Sequence, residues 1–241
     1  LPYLLLGVIL VIGAAFVVTR VVFDTIEERF TNQLLEAGIL ASERMVVEED
    51  QMLKVLRLLA YSEGVPEALK RNDPEELREL TFGNIVNNRQ SAVVFLDLQG
   101  NLILSTYHIT GGNIEEYEFG TGGESVFKDQ SIVQSGLEGV TDESGNKFSG
   151  YVHTDKGDFL FITGPVLDSD RKPIGVILVG KPLSDLTNQL REETLAQITL
   201  YDFEGNPLAS TFSTAIPLGS ADVTQILNNQ NDTSYMESNS R

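Results

Sequence analysis

The stretch Val93-Val94-Phe95-Leu96-Asp97-Leu98-Gln99-Gly100-Asn101-Leu102-Ile103-Leu104-Ser105-Thr106 reads as strand, tight turn, strand. Apolar residues run up to Asp97. Asp97 to Gly100 then supplies turn chemistry, a short carboxylate that can bond the backbone ahead of it and a glycine free to adopt positive φ. The pattern returns as Ile198-Thr199-Leu200-Tyr201-Asp202-Phe203-Glu204-Gly205-Asn206-Pro207-Leu208-Ala209-Ser210-Thr211. Asp, Gly, Asn, Ser and Thr coincide, and apolar residues fill most other places. Two unrelated hairpins with one turn type would share the Asp and the Gly. The return of Ser-Thr on the far strand favours two copies of one module in tandem.

A chain of 241 residues allows one large domain or two small ones. With 35 Asp+Glu against 17 Lys+Arg, the net charge is −18. Such an acidic surface argues against nucleic acid and anionic headgroups as partners and suits an extracytoplasmic surface. There is no Cys, hence no disulfide framework, thiolate metal site or Cys nucleophile.

Residues 1–23 form an apolar run with Arg20 as the one charge. The length matches the roughly 20 residues that a helix needs to cross hydrocarbon. The run has no polar stripe, as a buried core helix would, and no clear small-x-small cleavage site follows it. It is read as a transmembrane helix. Asp24, Glu27 and Glu28 follow, so the positive-inside rule gives no reason to place residues 24–241 in the cytoplasm. From Asp24 the apolar positions Ile26, Phe30, Leu34, Val46, Leu53 and Leu56 recur at helical spacing. Residues 24–62 therefore form a long amphipathic helix of about 58 Å that must lie along a partner helix or the modules that follow. Ser62-Glu63-Gly64-Val65-Pro66 ends it. Asp73-Pro74-Glu75-Glu76 starts another helix, with Asp as N-cap and Pro at the first helical position. Without an initiator Met, and with a second module that stops early, the chain reads as a fragment of a longer protein.

After the first hairpin come a glycine-punctuated loop (107–123), a short helix (125–136) and strands over 147–154, 158–166 and 173–181. A helix over 184–196 leads into the second hairpin, and 223–229 would be a helix of the second module. Phe159-Leu160-Phe161-Ile162 and Val176-Ile177-Leu178-Val179 are continuously apolar, as strands covered on both faces are. The order of elements, with Phe95-Leu96-Asp97-Leu98-Gln99-Gly100-Asn101, Gly164-Pro165-Val166-Leu167-Asp168 and Ile174-Gly175-Val176-Ile177-Leu178-Val179-Gly180, resembles the double Cache family of paired PAS-like extracytoplasmic sensor modules in bacterial receptors.

The resemblance implies an α+β fold. A long N-terminal membrane-to-periplasm helix would precede tandem PAS-like modules with antiparallel sheets. Residues 63–195 would be the membrane-distal module and residues 196–241 the start of an incomplete membrane-proximal one. It also implies a homodimer in the bacterial inner membrane that passes a conformational signal to a cytoplasmic output domain. The family's amino-acid-binding members carry an Arg-x-Trp-Tyr cluster and an Asp on the last strand. This chain has no Trp, and Gly180 or a neighbour stands at the Asp position. Binding of α-amino acids in the family's usual way is therefore not expected.

No catalytic constellation is present. His108 and His153 have no nucleophile elbow beside them. Gly120-Thr121-Gly122-Gly123 lacks the Lys-Ser/Thr of a phosphate loop, and the Asp168-Ser169-Asp170 run fails as a calcium loop because Lys172 and Val179 occupy ligand positions. No metal and no cofactor are expected. A pocket for a small polar ligand is the better reading. Ser149, Tyr151 and His153 share one side of their strand, and Phe159, Phe161 and Thr163 share one side of theirs. With Tyr107, Tyr117 and Phe119 from the loop and Phe127 from the short helix, they form the candidate ligand surface. The rival is a pilin-like anchored structural subunit. It would also have an apolar helix and a β head, but it would carry an acidic residue near Leu5.

Overall fold

The computed structural model describes residues 2–123, 125–138 and 148–237, with few side chains before Arg29 and none after Asn228. The first element, α1 (Pro2–Ala60), is one helix of 59 residues, about 88 Å long at 1.5 Å per residue. The apolar run and the amphipathic run are thus continuous, as expected. The side chains of the proposed membrane span mostly lie outside the described residues. Among the described residues no helix is long and apolar enough to cross a membrane.

Among the described residues, burial along α1 is concentrated in its last quarter. Met52, Val55, Leu56, Leu59 and Ala60 recur three or four residues apart and face the sheet, whereas Phe30, Leu34, Leu35, Ile39, Val46 and Val47 are exposed. The helix ends where Gly64 takes φ 86° and Ser62 Oγ donates to the Leu58 carbonyl at 2.7 Å. A six-residue helix α2 (Val65–Lys70) follows. Then comes α3 (Pro74–Asn87), capped as its sequence requires by Asp73 Oδ1, which accepts from the Glu76 N–H at 3.1 Å.

The core is one antiparallel sheet of six strands. They are β1 (Ala92–Asp97), β2 (Leu102–His108), β3 (Tyr117–Thr121), β4 (Phe148–Thr154), β5 (Gly157–Leu167) and β6 (Pro173–Pro182), in the order β3-β2-β1-β6-β5-β4. One face carries α1, α2 and α3 over Val93, Phe95, Ile162, Ile177 and Val179. The other carries α4 (Ser131–Glu138) and Phe127 over Val94, Phe161, Val176 and Leu178. That two-sided cover explains the unbroken apolar runs. Beyond the sheet, α5 (Leu183–Thr194) leads to a small hairpin, β7 (Thr199–Tyr201) with β8 (Pro207–Ser210), and to α6 (Ser220–Glu237).

Two expectations are corrected. Residues 107–123 are not a loop throughout, because β3 pairs with β2 from Leu104↔Thr121 to His108↔Tyr117. Its glycines and acidic residues hid an edge strand, where packing demands least of the sequence. The short helix begins at Ser131 rather than Ser125, after a turn at 126–129.

Among the described residues Glu48 is the buried charged one, 5% exposed. Its Oε2 accepts from Lys181 Nζ at 2.6 Å, and its Oε1 accepts from Gln189 Nε2 at 2.8 Å and lies 2.9 Å from Arg44 Nη2. One carboxylate thus ties α1 to the end of β6 and to α5. Burial by itself would raise the Glu48 carboxyl, but the hydrogen bonds from Lys181 and Gln189, with the charges of Lys181 and Arg44, hold it below its ordinary value of 4.5. A depressed folded value stabilises the native state at neutral pH, and that stability is lost as pH falls through the folded value. The expected outcome is that Glu48→Gln shows a shallower loss of stability than wild type below about pH 4.5, read from urea midpoints across the acid range; parallel curves would assign the acid sensitivity elsewhere.

Gly180 pairs with Ala92 and with Phe161, and a Cβ there would lie 2.3 Å from the Phe161 ring. Gly180→Ala is therefore expected to cost about 1–3 kcal/mol by overpacking. Phe161→Leu introduced into that variant should recover part of the loss, measured as a double-mutant cycle in denaturant.

Candidate ligand-binding site

The β4–β5 turn decides which side chains meet. Its loop is two residues, Asp155-Lys156, and Thr154 pairs with Gly157. Odd-numbered residues of β4 therefore oppose even-numbered residues of β5. Tyr151 faces Leu160, and His153 faces Asp158, whereas Phe159 pairs with Val152 and Phe161 with Gly150. Opposed residues share a sheet face. Tyr151 and His153 are thus on the face opposite to Phe159, Phe161 and Thr163, and the single surface expected from all five does not form.

The separate fates are clear. Phe161 and Thr163 are fully buried and Phe127 nearly so. Phe161 stacks on Phe159 at 5.5 Å and meets Phe127 edge-on at 5.1 Å, which makes these rings core. Tyr117 and Phe119 pack against Phe82 of α3 at 5.6 and 5.5 Å, and the Tyr117 hydroxyl donates to the Gln90 carbonyl at 2.9 Å. Tyr151 and His153 stand at the exposed edge strand. Both bond Asp158 Oδ1, from the Tyr151 hydroxyl at 3.2 Å and His153 Nδ1 at 2.6 Å. Of the eight candidates, Tyr107 alone lines the cavity described next.

In a flat sheet β3 and β5 would lie roughly 19 Å apart, four strand spacings. Yet Lys156 Nζ in the β4–β5 turn reaches Glu118 Oε1 on β3 at 2.7 Å. The sheet coils until its two edges approach at this end. A cavity of about 460 Å³ lies there, lined by Tyr107, His108 and Glu118 on one side, by Lys156, Asp158 and Phe159 on the next, and by Ser184 and Asp185 at the start of α5. The Tyr107 ring meets Phe159 edge-on at 5.7 Å.

Tyr107 is 9% exposed, and its hydroxyl makes no hydrogen bond among the described residues. Burial, reinforced by the charge of Asp155, pushes its phenol far up, so it remains an O–H at any physiological pH. The polar groups around it are mostly engaged with each other. His108 Nε2 donates to the Asn113 carbonyl at 3.0 Å, and the Lys156 ammonium is held by Glu118. Tyr107 thus borders a partly open polar cavity with a hydroxyl that no described group occupies, a group a ligand can bond. The sequence did not mark Asp158, Ser184 or Asp185, because their convergence depends on the coiling of the sheet.

The fold is that of sensor domains. The chain matches the sensor domain of the V. cholerae histidine kinase DctB with a TM-score of 0.55 at 15% identity, covering 83% of this chain and 75% of that one. It matches the sensory domain of the Campylobacter jejuni chemoreceptor Tlp3, solved with L-valine, with a TM-score of 0.55 at 16% identity over 77% and 72%. The extracellular domain of vpHK1S-Z8, assigned as a histidine kinase, gives 0.59 at 14% over 77% and 72%. No curated protein matches the chain. Residues 27–237 match the family model dCache_3, the double sensory domain of two-component sensor kinases, and the chain belongs to that family. Its role is extracytoplasmic sensing. The sensory domain itself is not a catalytic unit, and the pilin reading is set aside.

The two sheet faces make opposite demands. Phe161→Ala should cost about 3–5 kcal/mol by leaving a cavity. Tyr151→Ala, at a side chain 40% exposed, should cost under about 1 kcal/mol. Urea denaturation of both variants measures the difference.

Proposed function

We propose that this chain is the ligand-sensing region of a bacterial membrane receptor and that the cavity beside Tyr107 is its small-molecule site. The observation that carries the reading is the 460 Å³ cavity bordered by Tyr107, a nine-tenths buried residue whose hydroxyl makes no hydrogen bond among the described residues. That volume falls within the range of small-ligand sites. The Tlp3 domain in complex with L-valine supports a small molecule as the signal.

In this reading residues 1–23 are the membrane anchor and residues 24–241 are extracytoplasmic. Residues 63–195 are the distal PAS-like module, and 196–241 begin the proximal one. The exposed apolar stripe Leu35, Ile39 and Val46 on α1 is the seam of a homodimer. The output domain is cytoplasmic and lies outside residues 1–241.

Transmission has a short physical route. The cavity wall at Ser184 and Asp185 directly follows Lys181, whose ammonium holds Glu48 on α1. A ligand that draws the β6–α5 junction inward changes where that clamp grips α1. The effect requires different affinities for two positions of the junction.

The test is a thermal-shift screen of the purified chain against small carboxylates, amines, zwitterions and neutral polyols. A ligand present at 100 times its Kd adds about 2.7 kcal/mol of stability, several degrees at this size. A hit lost in Tyr107→Phe, with unchanged unliganded melting, supports the cavity. Tyr151→Ala should leave the hit intact. If every class is silent, the cavity is not the input.

A further inference from the structure

The charges around the cavity define a class of ligand. Glu118, Asp158 and Asp185 stand in its wall against one cation, Lys156. That cation is already taken, by Glu118 Oε1 at 2.7 Å and, more loosely, by Asp155 Oδ2 at 3.9 Å. Among the described residues no arginine lines the space. A ligand carboxylate would meet three carboxylates and no free positive group, and a net chain charge of −18 adds to the repulsion.

An ammonium finds partners instead. Among the described residues Asp185 is bonded only by Ser184 Oγ, at a long 3.4 Å. Asp158 uses Oδ1 for Tyr151 and His153, and its Oδ2 makes no hydrogen bond among the described residues. The rings of Tyr107 and Phe159 border the same space, and aromatic faces attract cations through their quadrupole. The Tyr107 hydroxyl, which makes no hydrogen bond among the described residues, can accept from an ammonium N–H or donate to a hydroxyl on the ligand.

We propose that the cavity beside Tyr107 takes a small organic cation, an amine or quaternary ammonium without a carboxylate of its own, with Asp185 as its principal counter-ion. This rests on the cavity being the sensory site. Asp185 is exposed and opens α5, so its charge can be removed without disturbing the core.

The experiment is calorimetric titration of the full chain in zwitterionic nanodiscs with choline, putrescine, succinate, L-valine and glycerol at matched ionic strength. Choline or putrescine is expected to saturate a single site. Asp185→Asn should weaken it at least about tenfold, which is 1.4 kcal/mol, without changing the unliganded melting temperature, and Tyr107→Phe should weaken it as well. If succinate, L-valine or glycerol binds instead and Tyr107→Phe removes that binding, the cavity stands and the cation class is overturned. If the amines bind but neither substitution alters them, they are counter-ions of an acidic surface, and the proposal is overturned. If none of the five binds, both the cation class and the cavity reading fall.

Discussion

Everything in this structure depends on a sheet that must be covered on both faces. β1, β5 and β6 are apolar on both sides along most of their length, and none of their central residues tolerates water. One cover is built from local sequence, the turn at Phe127 and α4. The other cannot be local. It is the last quarter of a 59-residue helix whose remaining turns project away from the sheet. The burial that stabilises the domain therefore also fixes the domain to the one element long enough to reach elsewhere. Tight packing makes that junction stiff, since interiors at crystal-like density transmit displacement rather than absorb it.

The glycines of the central strands belong to the same constraint. Gly175 sits where a Cβ would come within 2.4 Å of the Leu96 carbonyl oxygen, and Gly180 where it would strike the Phe161 ring. Ile174-Gly175-Val176 is therefore a packing motif.

Much of the fold was legible in the sequence, because its signals are local. The Asp73 cap, the strand boundaries near Ala92 and Pro173 and the hairpin turn within Asp155-Lys156-Gly157 each act within a few residues. The turn at Asp97 was read correctly, and Asp202 reproduces it bond for bond, each Oδ1 accepting from the backbone two and four residues on. The same bonds also form at Asp168, where Arg171 takes the positive φ that Gly100 and Gly205 take in the other two. The turn is thus general chemistry, and by itself no mark of duplication. The face assignment was legible in principle, since a two-residue loop fixes the parity of the pairing. What the sequence does not carry is the coiling that brings β3 to the β4–β5 turn. Glu118 and Lys156 are 38 residues apart, no local pattern links them, and the cavity exists only because they meet.

The position of that cavity bears on how a signal would leave it. Its far wall is the first turn of α5, and its neighbour on the other side of Pro182 is Lys181. The Lys181 ammonium is shared between Glu48 and Gln189, at 2.6 and 2.7 Å. Gln189 in turn bonds Glu48, and Arg44 joins Glu48 to Glu193. A buried ion pair of this kind is a poor source of net stability, because desolvation offsets most of its attraction. Its value is geometric. The Glu48 carboxylate takes partners from α1, β6 and α5 at once, so a shift of the β6–α5 junction that left α1 behind would leave a buried charge short of donors. An uncompensated buried charge is costly, so the clamp favours movement of α1 together with the junction.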